Sequence, residues 1–254
     1  MTNKIALITG ASSGIGEATA LILAKNNYNV IITGRRESKL KEVEKKISLE
    51  SDSQVLILSF DISNQVSCEK AIDSLSEKWK NIDVLINNAG LAVGLSTFQD
   101  GIVDDWERMI DTNIKGLLYI SRKVSEIMIA RKTGHIVNIG SIAGKEVYPN
   151  GNIYCATKHA VEALTKAMRI DLLPHGIKVS GVCPGMVETE FSVVRFKGDE
   201  EKASKVYQGL TPLYAEDIAE VILFVVSRPP HVNINDILVM PTIQASSTVV
   251  FRGL

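Results

Sequence analysis

Tyr154 and Lys158 stand four residues apart in G-N-I-Y-C-A-T-K, residues 151–158. On a helix, that spacing puts a phenol and an ammonium group on one face. A neighbouring cation favours the phenolate, so it moves a phenol of ordinary pKa about 10 towards neutrality. A phenol tuned in this way can take a proton from an alcohol and return it to the corresponding carbonyl. Ser141, closing an apolar run, offers a hydroxyl to hold a substrate oxygen beside that phenol. Each residue also has a purely structural reading: Tyr154 a half-buried helix aromatic, Lys158 a solvated side chain, Ser141 a strand-end cap and Asn113 a polar helix contact.

A second group of residues suits a dinucleotide. T-G-A-S-S-G-I-G, residues 9–16, carries Gly10, Gly14 and Gly16 in a G-x3-G-x-G spacing around Ser12, Ser13 and Ile15. Glycines there let backbone approach a pyrophosphate, and the helix that follows offers unpaired N–H groups. The second apolar run ends I-I-T-G-R-R, without the carboxylate that would bind a ribose 2′-hydroxyl. Arg35 and Arg36 stand there instead, and two guanidinium groups suit a 2′-phosphate, which points to NADP over NAD. Asp61, with Ile62 beside it in F-D-I, either accepts from an adenine amino group or caps the next segment.

The elements that must position these residues follow from periodicity. Short β-branched runs at 4–9, 30–33, 55–60, 84–86, 135–140, 178–182 and 236–240 read as strands. Helical patterns occupy 14–27, 38–49, 66–80, 104–131, 152–173 and 215–226. The strands are continuous apolar runs, as when helices cover both faces, so the expected fold is α/β with a doubly wound, mostly parallel seven-stranded sheet. The irregular stretch 189–213 mixes charges with Phe191, Phe196 and Tyr207, and its place after a strand suits a substrate lid.

Composition narrows the function classes. A chain of 254 residues can bury one substantial core, and a single domain over 1–254 is expected. Hydrophobic residues at 45% against 22% charged exclude a disordered or fibrous chain. A net charge of −1 leaves no footprint for nucleic acid or an anionic membrane. The apolar run 221–226 is too short to span a bilayer, and the start M-T-N-K-I-A-L-I-T-G enters a strand with no leader pattern. Cys68, Cys155 and Cys183 are widely spaced, and the four histidines lack ligand spacing, so no metal site is expected. Cys155 reads as a small buried hydrophobe. A soluble, cytoplasmic protein follows.

T-G-A-S-S-G-I-G, N-N-A-G (residues 87–90), Asn113, Ser141 and Tyr154-x3-Lys158 occur in this order. Any one of these motifs is weak; together, the chain resembles the short-chain dehydrogenase/reductase superfamily over residues 4–240. The resemblance implies a Rossmann-like domain and oxidoreductase chemistry on CH–OH groups. It implies that Lys158, with Tyr154, also binds the nicotinamide ribose, and that Asn113 completes a proton relay through water. Asn88, Ala89 and Gly90 would form the floor under the adenine ribose. P-G-M-V-E-T, with Pro184 and Gly185, resembles the family's nicotinamide-binding segment, where the backbone near Val187 and the hydroxyl of Thr189 would hold the carboxamide; a proline turn with a capping threonine is the structural reading. The resemblance also implies a homotetramer built through two long helices.

A closer resemblance bears on substrate. N-N-A-G-L-A-V-G, D-W-E-R-M-I-D-T-N-I-K-G, T-E-F-S-V-V-R-F-K-G-D and H-V-N-I-N-D-I-L-V-M-P-T are similar to the branch that oxidises 3-hydroxy acids with NADP. L-allo-threonine, serine and 3-hydroxypropionate-type compounds are the substrates implied. A substrate carboxylate needs a cation, and Arg195 or Lys197 in V-R-F-K can supply it. The loop I-A-G-K-E-V-Y-P-N-G departs from that branch, and Lys145 or Tyr148 there could reshape the pocket. Two alternatives stay open: an NADPH-dependent carbonyl or 3-oxoacyl reductase, and a non-catalytic NADPH sensor. The tail 241–254 is apolar, with Ile243, Val249, Val250 and Phe251, and is expected at an oligomer contact.

Overall fold

The seven β-branched runs form one parallel sheet in the order β3-β2-β1-β4-β5-β6-β7. A computed structural model describes residues 3–253. The strands are β1 Lys4–Ile8, β2 Tyr28–Gly34, β3 Val55–Ser59, β4 Ile82–Asn87, β5 Gly134–Ile139, β6 Ile177–Pro184 and β7 Asp236–Val239. Alternate residues of β1 enter opposite cores, Ala6 and Ile8 on one side and Ile5 and Leu7 on the other. Both faces are therefore covered, which is why the runs are continuous.

The helices are α1 Gly14–Lys25, α2 Glu37–Glu50, α3 Gln65–Asp73, α4 Glu77–Lys80, α5 Val103–Ile110 and α6 Leu117–Arg131, then α7 Asn152–Leu172, α8 Phe191–Arg195, α9 Glu200–Lys205 and α10 Ala215–Val226. None among the described residues is long and apolar enough to cross a membrane.

Two expected helices are interrupted. The stretch 66–80 breaks between α3 and α4, where Ser74 Oγ turns back to the Ala71 carbonyl at 2.8 Å and Leu75 drops into the core. Serine competing for helix carbonyls explains the stop. The stretch 104–131 runs on as one rod but widens into a π-turn, Asp111–Gly116, between α5 and α6. That turn buries Asn113, and a Cβ on Gly116 would lie 3.1 Å from the Ile62 carbonyl oxygen.

The stretch after β6 is pinned at its base. Glu188 N–H donates to the Leu213 carbonyl at 2.8 Å, and Leu213 N–H to that of Met186 at 2.9 Å. Between these clamps, α8 and α9 give the irregular stretch two helices. The tail folds back as a small hairpin: Gln244 pairs with Val250, and Phe251 N–H donates to the Ile243 carbonyl at 2.8 Å. Leu254 lies outside the described residues, as do the first two positions of the expected domain.

Candidate active site

Sheet order reverses between β1 and β4, and a cleft of about 700 Å³ opens at the strands' carboxyl ends there. This is where open α/β sheets take ligands. The sequence-predicted catalytic, cofactor and Arg195 positions line it except Gly16 and Asn113, which stand directly behind its wall; Lys145 and Lys197 lie outside the lining.

The turn from β1 into α1 runs left-handed at Gly10 and Gly14. A Cβ on Gly16 would overlap the Gly10 carbonyl oxygen, so the spacing of the glycines answers a chain that folds onto itself. Asn88 braces the turn from β4: its Nδ2 donates to the carbonyls of Thr9 at 2.9 Å and Gly10 at 3.2 Å. Thr9 Oγ1 accepts from the N–H groups of Asn88 and Ala89, both at 3.0 Å. The wall so fixed presents backbone and hydroxyls from Ser12 to Ile15.

Arg36 crosses to that turn from the end of β2. Its Nη2 donates to Ser12 Oγ at 3.1 Å, Ser13 Oγ at 2.9 Å and Glu190 Oε2 at 2.8 Å. Arg35 Nη1 lies 3.9 Å from Asp61 Oδ2. Asp61 Oδ1 accepts from Ser63 N at 2.9 Å and Ser63 Oγ at 2.8 Å, so this carboxylate caps the turn after β3. Two guanidinium groups, two hydroxyls and the unpaired amides of the α1 start form a donor set suited to phosphates. The residues present thus fit a phosphorylated dinucleotide.

At the other end, Ser141 follows β5 and accepts from Ala143 N–H at 3.1 Å, while α7 carries Tyr154 and Lys158 on its first two turns. A Cβ on Gly144 would lie 2.6 Å from the Lys158 carbonyl oxygen, so only glycine lets the Ser141 turn seat on α7. Asn113 holds the floor. Its Oδ1 accepts from Leu91 N–H at 2.8 Å, and its Nδ2 donates to the Leu91 carbonyl at 2.8 Å and Thr157 Oγ1 at 3.0 Å. The side chain thereby ties the segment after N-N-A-G to α7.

In the chain alone, burial opposes the effect expected of Lys158 on Tyr154. Lys158 Nζ donates to the Ile139 carbonyl at 2.9 Å and lies 6.0 Å from the Tyr154 ring centroid. Burial lowers the ammonium pKa to about 8. Burial likewise pushes the Tyr154 phenol up to about 12, opposed first by the Arg195 charge and then by a hydrogen bond from Ser141. Desolvation of the phenolate outweighs the helix neighbour in this chain.

Arg195, one of the two cations offered by V-R-F-K, lines the cleft among aromatic rings. Its guanidinium carbon lies 4.9 Å from the Tyr154 centroid, 5.5 Å from that of Phe191 and 5.6 Å from that of Tyr148. It donates to the Tyr148 hydroxyl, and its buried Nε–H has no partner among the described residues. A cation held on aromatic faces at the cleft wall is suited to an incoming anion. Lys197 is spoken for: its Nζ pairs with Asp105 Oδ2 at 2.7 Å. Lys145 is paired with Asp236 at 2.6 Å and Glu162 at 3.5 Å and is not part of the cleft wall, whereas Tyr148 is.

Sequence reasoning passed over Glu190 and Gln244. Nothing in T-E-F-S marks Glu190 as a partner of a residue 154 positions away. Gln244 sits in a tail read only for its apolar residues, yet it lines the cleft and its Oε1 accepts from Met186 N–H at 2.8 Å. The tail therefore closes part of its own chain's cleft, while Val249 and Phe251 stay exposed.

A family model described as short chain dehydrogenase matches residues 4–200. The chain is 45% identical over 251 residues to an NADP-dependent 3-hydroxy acid dehydrogenase of Salmonella typhi, with 98% of each chain covered. It is 45% identical over 253 residues to an NADP-dependent 3-hydroxy acid dehydrogenase of Schizosaccharomyces pombe, covering 99% of this chain and 98% of that one. Among solved structures it is similar to the closed form of a serine dehydrogenase complexed with NADP+, at TM-score 0.92 and 42% identity, over 97% of this chain and 98% of that chain.

Proposed function

Because this chain belongs to the short-chain dehydrogenase family, we propose that it is an NADP-dependent dehydrogenase of small 3-hydroxy acids. Serine, L-allo-threonine and 3-hydroxypropionate-type compounds are its substrate class. Arg195 carries this reading, as a cation caged by Tyr148, Tyr154 and Phe191 beside the catalytic phenol. A carboxylate one carbon removed from the reacting CH–OH carbon suits a guanidinium packed against the Tyr154 ring.

When bound, NADP supplies the hydride acceptor for oxidation or donor for reduction, and its oxidised ring adds a positive charge. Arg35, Arg36, Ser12 and Ser13 would hold the 2′-phosphate, and the α1 amides the pyrophosphate. Asp61, Ile62, Asn88, Ala89 and Gly90 line the adenosine end, and Pro184, Gly185, Val187 and Thr189 the nicotinamide end. Ser141 orients the substrate oxygen, and Tyr154 takes its proton in oxidation or returns it in reduction. Lys158 holds the ribose next to that proton. Asn113 is a positioning residue for the floor beneath them.

The test is a substrate panel followed by absorbance of NADPH. Serine, L-allo-threonine and 3-hydroxypropionate should reduce NADP, with NAD a much poorer acceptor. Turnover confined to neutral ketones would replace this reading with that of a carbonyl reductase. The exposed Val249 and Phe251 further suit a homotetramer in the cytoplasm, and a monomeric mass in solution would remove the tetramer.

A further inference from the structure

Glu190, near the start of the 189–213 stretch, reaches the phosphate-binding wall with its carboxylate. It precedes α8 directly and follows Thr189, whose Cγ2 would lie 3.1 Å from a Cβ on Gly14. Its carboxylate is 2.8 Å from Arg36 Nη2, the same nitrogen that donates to both Ser12 and Ser13. Arg36 draws the carboxyl below its usual pKa range, so the group is an anion at neutral pH. One guanidinium nitrogen thus gathers two hydroxyls and one negative charge. Those are the partners that a phosphate monoester would require, with the carboxylate in the anion's role.

We propose that Glu190 competes with the 2′-phosphate of the dinucleotide for Arg36, and so tunes how tightly the chain takes NADP. This rests on the NADP reading above. A carboxylate and a phosphate dianion repel one another at this range. Glu190 must therefore give up Arg36 when the phosphate arrives. The pair is about half exposed on each side, so its loss weakens binding modestly. The displaced residue also leads into Phe191 and Arg195, which form the substrate cage. The adenosine end and the substrate end of the cleft are joined by one short helix.

Calorimetric titration of the full chain with 2′,5′-ADP and with 5′-AMP, which differ only in the 2′-phosphate, tests this without turnover. Glu190→Gln should bind 2′,5′-ADP roughly two- to fivefold more tightly, the range of an exposed ion pair. Its affinity for 5′-AMP should not change. The gain should vanish when Arg36→Gln is added. A wild-type chain that prefers 2′,5′-ADP while Glu190→Gln gains nothing overturns the competition alone. A gain that persists without Arg36 also overturns it. A wild-type chain that binds both nucleotides alike removes the NADP reading, and the competition with it.

Discussion

The two walls of the cleft are built differently. On the glycine wall, contacts are made by backbone and short side chains: Thr9 Oγ1 takes two N–H groups, Asn88 reaches two carbonyls and Gly16 has no room for a methyl. On the wall built from residues 189–213, contacts are made by the ends of long side chains. Arg36 meets Glu190, Lys197 meets Asp105, and Tyr207 donates to the Val187 carbonyl at 2.8 Å. Backbone packed to contact has one arrangement, whereas partly exposed ion pairs open at small cost. The glycine wall is the stiff one, and the wall from 189–213 is the yielding one.

Substitutions can break or sharpen this contrast. The largest effect belongs to Tyr154, where the walls meet. Tyr154→Phe should bind 2′,5′-ADP as the wild type does and lose about 10²- to 10⁴-fold in turnover, the worth of a general acid–base group. Full activity would end the assignment. Burial raises this phenol to about 12, so wild-type minus Tyr154→Phe tyrosinate absorbance, taken on the chain alone, should stay flat to pH 10.

Next comes the yielding wall. Arg195→Ala should raise KM for a hydroxy acid about 10- to 100-fold, as expected for a lost charge-assisted hydrogen bond. KM for a neutral alcohol should stay within error, and equal effects on both would argue against a carboxylate clamp. The smallest change is in stability. Gly16→Ala on the stiff wall should cost about 1–3 kcal/mol by overpacking, read as a Tm lower by roughly 2–10 °C. An unchanged Tm would show that this wall can give way.

The stiff wall is also the one that was legible in the sequence. Glycines, the asparagine of N-N-A-G and the apolar strands act through backbone geometry and local order, and spacing reports both. The order of five motifs placed Ser141, Tyr154 and Lys158 in one cleft from the chain alone. The yielding wall was legible only in outline. V-R-F-K offered two cations, and only folding shows that Asp105, on α5, takes Lys197 while aromatic rings from the 148 loop, α7 and α8 gather Arg195. The Tyr154–Lys158 spacing correctly predicted a shared helix face. It could not weigh desolvation, which depends on everything packed around that face. The π-turn at Asn113 was not legible either: the expected helix ran unbroken through 104–131, and the close approach of Gly116 to Ile62 appears only in the fold.

The closing hairpin has a practical side. Arg252 donates to the carbonyls of Val206 at 3.1 Å and Gln208 at 2.7 Å, and Ser247 N–H to Glu146 at 2.8 Å. A purification handle fused after residue 254 would begin three residues beyond Arg252, in the tail that carries Gln244 into the cleft.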